Sequence, residues 1–201
     1  MRTWLTLFAT ASVVAAGAGA WGWNHYVAGT WASSTVVVQV APDLDAAKRL
    51  EALEKTWAGT PGERVVRHVV WRGWDGRLKA GQYTFSPEES VQTSAGRLVT
   101  GDRDAVDVVV PSGRDVGPIA DAVSRRVFAD SAAVADWFSR DSVMWRVLPN
   151  TYEMWWDTDA EGVTARMLRE HRAWWNDDRI AAAASQGLTP KEATVLASIV
   201  Q

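Results

Sequence analysis

The sequence predicts an α+β chain carried on one N-terminal transmembrane helix, with a small α+β unit first and a mainly helical second part. Three observations predict it. Trp4 to Trp23 contains no charged side chain, β-branched runs alternate with helical spacing between residues 35 and 101, and 3.6-residue apolar periodicity dominates beyond residue 119. A chain of 201 residues has room for an anchor plus one medium domain or two small ones. Charged residues make up 22% with a net charge of -3 and no long run of either sign, so no basic face for phosphate backbones is expected and nucleic acid is not a predicted partner. The absence of cysteine removes disulfides, thiolate metal sites and a cysteine nucleophile.

The N-terminal stretch is long enough to cross a bilayer, because about twenty helical residues span ~30 Å. Trp4 marks one end and Trp21, Trp23 and Tyr26 the other, as interfacial aromatic residues do. Arg2 and the amino terminus lie on the short side, which places that terminus in the cytoplasm and everything after Asn24 outside. Ala16, Ala18 and Ala20 also supply small-residue cleavage patterns, so a removed signal peptide is the competing reading; either way the chain is exported.

Val36, Val37, Val38 and Val40 form a strand closed by Pro42, and Leu44, Ala47, Leu50 and Leu53 then recur at helical spacing up to Lys55. Val65, Val66, Val69 and Val70 read as a further strand ending at Trp71. Gly73, Asp75 and Gly76 turn the chain, and Tyr83 and Phe85 alternate with polar residues in its partner strand. Ser90 to Val99 is a short helix stopped by Gly101, and Ala105 to Val110 is strand-like before Pro111 and Gly113. Two helices follow, one carrying Ile119, Ala122, Val123, Val127 and Phe128 on one face, the other Val134, Trp137 and Phe138. After Asn150 a turn and strand precede a helix over Ala160 to Asn176 and a shorter one from Ile180 to Ala184, closed by Gly187. Thr189, Pro190 and Glu192 then make a capping box at the start of the last helix, satisfying backbone donors that a helix otherwise leaves without partners. On that helix Ala193, Leu196, Ala197 and Val200 form an apolar stripe with no following element to cover it.

Chemistry has few anchors in the composition. Glu153 lies among Tyr152, Met154, Trp155 and Trp156, a setting that could desolvate a carboxyl, yet the same pattern describes a strand with its rings packed inward and its carboxylate in water. His25, His68 and His171 are scattered without HxxxH or HExxH spacing, so no metal site and no metal cofactor is expected. Ser198 lacks a Gly-x-Ser-x-Gly elbow and reads as a helix-packing serine. Thirteen tryptophans are a heavy load; Trp155 with Trp156, and Trp174 with Trp175, are candidate sugar platforms, and each pair would also turn one ring inward and one outward in ordinary core packing.

Two runs carry a resemblance: Leu148-Pro149-Asn150-Thr151-Tyr152-Glu153, and the stretch from Leu188-Thr189-Pro190 through Leu196-Ala197-Ser198-Ile199-Val200. They resemble the endolytic murein transglycosylase family, the MltG or YceG-like proteins, in which a Pro-Asp/Asn-Thr-Tyr segment precedes two helices and a Leu-Thr-Pro helix reads Leu-Ala-Ser-Ile-Val before an acidic stretch. Lys79 to Phe85 is similar to the family's Lys-x-Gly-x-Tyr segment in a small LysM-like domain, and Val110 to Arg114 to its linker into the catalytic part. The resemblance implies an anchor over residues 1–27, a LysM-like domain over 35–101 and the first, mainly helical part of a YceG-like catalytic domain over 105–201. It implies non-hydrolytic cleavage between N-acetylmuramic acid and N-acetylglucosamine inside glycan strands, leaving 1,6-anhydro ends, with one glutamate as acid and then base and with no cofactor. Expected partners are peptidoglycan glycan strands, the inner membrane and peptidoglycan synthases, with the bulk of the chain periplasmic. Asn150, Tyr152 and Glu153 are the substrate-binding candidates it implies. The family's Glu-x-Glu-Thr stretch would begin at Gln201, so the catalytic glutamate is expected just past it, no catalytic residue is assigned within the chain, and these residues alone are expected to be an inactive fragment. The alternative from a different class is a non-catalytic, membrane-anchored peptidoglycan-binding scaffold.

Overall fold

A computed structural model of the chain describes residues 16–113 and 115–200. It is α+β, and the described chain forms two compact units that divide between Asp104 and Ala105. The helix α1 covers residues 16–23 and tightens into a π-turn at Asn24–Ala28. Among the described residues no helix is long and apolar enough to cross a membrane. The predicted span from Trp4 to Trp23 lies outside the described residues over 4–15.

The first unit is built on one antiparallel ribbon. Strand β1 (Val36–Val40) pairs with β2 (Gly81–Phe85) in the register Val38 opposite Tyr83. Alternation puts Val38 and Val40, with Tyr83 and Phe85, on one buried face. Three helices cover it: α2 (Ala46–Trp57), α3 (Glu63–Trp71) and α4 (Val91–Thr100). Asp45 starts α2 by accepting from the Lys48 amide at 2.9 Å, and Ser90 starts α4 in the same way from Thr93 at 3.1 Å. Gly101 ends α4 at φ 78°, the left-handed geometry that suits glycine, with its amide on the Arg97 carbonyl. Trp31, Trp57 and Phe85 meet as a ring cluster with centroids 5.3 to 6.1 Å apart, and Trp31 Nε1 donates to Ser94 Oγ at 2.8 Å, so the indole's polar edge is not stranded in the core.

One expectation is corrected here. Val65 to Val70 is not a strand but the middle of α3, with Val65, Val66, His68 and Val69 buried. Valines at 65, 66, 69 and 70 are spaced by one, four and five residues, which fits one side of a helix as well as a buried strand. A short apolar run cannot settle between the two by periodicity, and packing against the rest of the unit decided it.

Arg97 ties this unit together. Its Nη1 donates to the Thr84 carbonyl at 2.7 Å and to Glu89 Oε1 at 3.0 Å, its Nη2 to Asp104 Oδ1 at 2.8 Å, and its Nε to the Asp102 carbonyl at 3.2 Å. Asp104 in turn accepts from the Thr84 amide. One guanidinium thus joins α4, the edge of β2, the turn before α4 and the chain leaving the unit. Tyr83, with its ring fully enclosed, donates its hydroxyl to the Lys79 carbonyl at 3.1 Å, while the Lys79 amide bonds the Leu98 carbonyl at 2.9 Å.

The second unit repeats the plan. Strand β3 (Ala105–Val110) pairs antiparallel with β4 (Asn150–Trp155), Val108 opposite Tyr152. Helices α5 (Val116–Ser124), α6 (Ser131–Phe138) and α7 (Ala160–Trp174) supply Ile119, Val123, Phe138, Val163 and Met167 to the core beneath it. The helices α8 (Asp177–Ser185) and α9 (Pro190–Val200) finish the described chain; no residue of α8 is buried, and α9 rests on α8 and on the 3-10 turn Met144–Arg146.

Replacing Arg97 by Met should lower the stability of the first unit by about 2 kcal/mol, because Glu89 and Asp104 lose their counter-charge in a half-buried site. Urea unfolding of the variant checks this; a midpoint equal to that of the wild-type chain would show that the guanidinium does not hold the unit.

Candidate functional site

The residues singled out by sequence converge on β4. Pleating divides them: Tyr152 and Met154 turn into the core, while Thr151, Glu153 and Trp155 point outward. Tyr152 donates its hydroxyl to the Leu148 carbonyl at 2.6 Å, pinning the Leu148-Pro149 approach to the strand. Burial, with a smaller contribution from Glu170, raises this phenol above its ordinary value, so it stays a neutral donor. Asn150 is exposed and its Oδ1 accepts from the Thr151 amide at 2.8 Å. Arg166 of α7 braces the strand from behind, with Nη1 on the Glu153 carbonyl at 2.7 Å and Nε on Glu170 Oε1 at 2.8 Å. Of the three candidates, Glu153 faces outward, Asn150 is exposed at the start of the strand on the same side as Tyr152, and Tyr152 holds the backbone that presents them.

The register assembles an outer face. Trp155 stands opposite Ala105, Glu153 opposite Asp107, and Thr151 opposite Val109. All but the half-buried Ala105 are exposed. The residue opposite the indole is small, and Glu153 and Asp107 are cross-strand partners at the next outward position. Like charges directly opposite on a ribbon disfavour folding; this pair adds nothing to the core and makes chemical sense as acceptors for hydroxyl groups. Glu153 is exposed on this face and not enclosed in an apolar pocket.

The paired tryptophans split as pleating and helix geometry demand. Trp156 packs inward against Phe128 at 5.3 Å while Trp155 is outward, and Trp174 is exposed while Trp175 turns toward His171. The Trp174 face carries the Arg179 guanidinium at 3.8 Å, and Trp137 carries Arg140 at 3.7 Å, so cations cover those two rings. Trp155 is the exposed indole of its pair.

Behind this face lies a cluster that the sequence did not bring forward. His171 is 5% exposed, its ring edge-on to Trp145 at 4.8 Å, in contact with the turn on which α9 rests. Its Nε2, together with Arg146 Nε and Trp175 Nε1, is enclosed without a hydrogen-bond partner among the described residues. Burial, and secondarily the Arg146 guanidinium, lowers the imidazole below its ordinary 6.5, so it is held neutral. Its place in the last turn of α7, amid Trp174 and Trp175, was the available signal.

The last helix is capped as expected. The Thr189 amide and hydroxyl both donate to Glu192 Oε2 at 2.8 Å, and the Glu192 amide returns to Thr189 Oγ1 at 3.3 Å. The backbone bond, then the hydroxyl, holds the Glu192 carboxyl below its ordinary value. Glu192 is thus committed as an anion to the cap. Ser198 donates to the Val195 carbonyl of its own helix at 2.7 Å. The apolar stripe is uncovered at Leu196, with Val195 and Ile199 beside it also exposed. Among the described residues no group of three or more His, Asp or Glu side chains converges to hold a metal.

A sequence model described as the YceG-like family matches residues 38–201 of the chain. None of the curated proteins matches. A crystal structure of a yceG-like protein from Listeria monocytogenes is similar at 17% identity over 79% of this chain, with a TM-score of 0.36. This chain spans 61% of the length of that one.

Two outcomes follow from the polar geometry. His171 contributes stability that is complete above its unfolded value near 6.5 and is lost as pH falls from there through its lowered folded value. His171→Phe should flatten the difference between unfolding midpoints taken at about pH 8 and about pH 5; an unchanged difference would assign it to other groups. Thr189→Ala should remove about 1 kcal/mol of protection from amide exchange in the first turn of α9. That difference should shrink as pH falls below the ordinary carboxylate range, because protonated Glu192 no longer accepts from the cap.

Proposed function

The chain belongs to the YceG-like family, and from that premise we propose that it works as part of a membrane-anchored lytic transglycosylase that cuts peptidoglycan inside glycan strands. The reaction replaces the bond between N-acetylmuramic acid and N-acetylglucosamine by an internal ether. A carboxylic acid gives its proton to the leaving glycosidic oxygen. The resulting carboxylate then takes the proton of the muramyl 6-hydroxyl as that oxygen closes on the anomeric carbon. One carboxyl serves both steps, so the products are a free hydroxyl end and a 1,6-anhydro end. In this reading the chain is tethered to the inner membrane by residues 4–23, works on the periplasmic side close to peptidoglycan synthases, and limits strand length.

The observation that carries the reading within these residues is the outer face of β3 and β4. An exposed indole beside two carboxylates and a threonine hydroxyl offers a sugar ring a flat apolar platform and hydrogen-bond acceptors at its edge. Asn150 and Glu153 bind glycan in this account, and Tyr152 positions their strand. Glu192 is occupied by its cap and Glu153 is open to water, so neither is given the acid role. That favours binding as the task of the described residues and keeps a second reading, a non-catalytic peptidoglycan-binding scaffold, in play.

Mass spectrometry of purified peptidoglycan after digestion with the full-length product of this gene should show 1,6-anhydromuramyl ends within strands; ordinary reducing ends would overturn the transglycosylase reading. Sedimentation of the chain with peptidoglycan should fall about tenfold for Trp155→Ala, near 1.4 kcal/mol, while retention without anhydro ends would select the scaffold.

A further inference from the structure

The end of α3 carries exposed rings that the first unit's core does not use. Trp71 is 69% exposed and Val70 49%, and on α1 Trp21 and Trp23 are 64% and 59% exposed. Scattered exposed apolar residues are ordinary, but a contiguous group marks an interaction surface. Helix packing makes these contiguous. Near the start of α3, Arg64 Nη1 donates to the Thr30 carbonyl at 3.0 Å. At its end, Arg67, His68 and Trp71 form one wall of a cavity of about 460 Å3 whose other wall includes Gly19, Gly22 and Trp23. The helix α3 therefore runs back alongside α1, from the level of Thr30 toward that of Gly19, over ~10 Å between Arg64 and Trp71.

Charge agrees with this direction. Between Glu63 and Arg77 there are four arginines against Glu63 and Asp75, a local excess of positive charge in a chain whose net charge is -3. Arg72 lies over the Trp74 ring at 4.7 Å, and Arg67 pairs with Glu63 at 2.9 Å while its stem borders the cavity. Trp71 shares the cavity with Gly22 and Trp23, and no carboxylate or hydroxyl acceptor is among the lining residues.

We propose that the last turn of α3 is a membrane-docking surface, with Trp71 and Val70 seated in the headgroup–acyl boundary of an anionic phospholipid bilayer beside Trp21 and Trp23. Arg67 and Arg72 reach the phosphates there, as long basic side chains do at an interface. This rests on reading residues 4–23 as an anchor. The first unit is then held against the bilayer by two helices rather than swinging on one.

The chain contains no cysteine, so one introduced cysteine carries a nitroxide label at a single position. The full chain is placed in vesicles of phosphatidylcholine and phosphatidylglycerol as Trp71→Cys, Val70→Cys, Trp23→Cys or Val37→Cys. Collision of each label with dissolved oxygen is compared with collision with a water-soluble nickel chelate. Labels at 71 and 70 are expected to favour oxygen several-fold over the label at 37, exposed on β1, and to resemble the label at 23. Nickel access at 70 and 71 equal to that at 37, with 23 still in lipid, overturns the docking and leaves the anchor standing. Nickel access at 23 as well overturns both. Val70 does not line the cavity, so its label reads the surface even if the change at Trp71 disturbs packing.

Discussion

A ribbon of two antiparallel strands cannot stand alone in water, and that constraint organises both units of this chain. Two strands offer one face to bury and no third strand to share the ladder, so stability must come from helices laid on that face. The first unit lays α2, α3 and α4 beneath β1 and β2; the second lays α5, α6 and α7 beneath β3 and β4. Every second residue of each strand is thereby fixed inward, and its neighbours are fixed outward. The outward row of β3 and β4 exists because Val106, Val108, Tyr152 and Met154 have to be in the core.

Because the ribbons are short, polar side chains do the joining that a wider sheet would do with ladder bonds. Arg97 links a helix, a strand edge and two turns through one planar group, and its acid partners are sheltered enough for the pairing to matter. In the second unit Tyr152 and Arg166 bond backbone carbonyls at either side of the presented strand. His171, neutral and enclosed, fills the space under the turn that receives α9. Several side chains that look chemically active in the sequence are in this way spent on architecture.

Much of the fold was legible because local signals agreed with the tertiary outcome. The β-branched run at Val36 to Val40, the Gly101 stop and the Thr189–Glu192 box each depend on contacts within a few residues, and each formed. The run at Val65 to Val70 misled because its spacing satisfies both periods. At the candidate site, the run around Asn150 and Tyr152 identified the strand, and alternation alone implied that Tyr152 and Glu153 would face opposite ways. It could not say which of them faced the core.

The sequence by itself determined the family, the α+β class, the caps and the apolar segment at the start of the chain, since these rest on residue order and short-range geometry. Tertiary structure alone decided that Glu153 stands opposite Asp107 across the ribbon, that Arg179 covers Trp174, and that Trp71 comes level with Gly19 and Gly22. Those facts depend on strand register and helix packing between residues far apart in the chain, and register is set by which face the whole unit must bury.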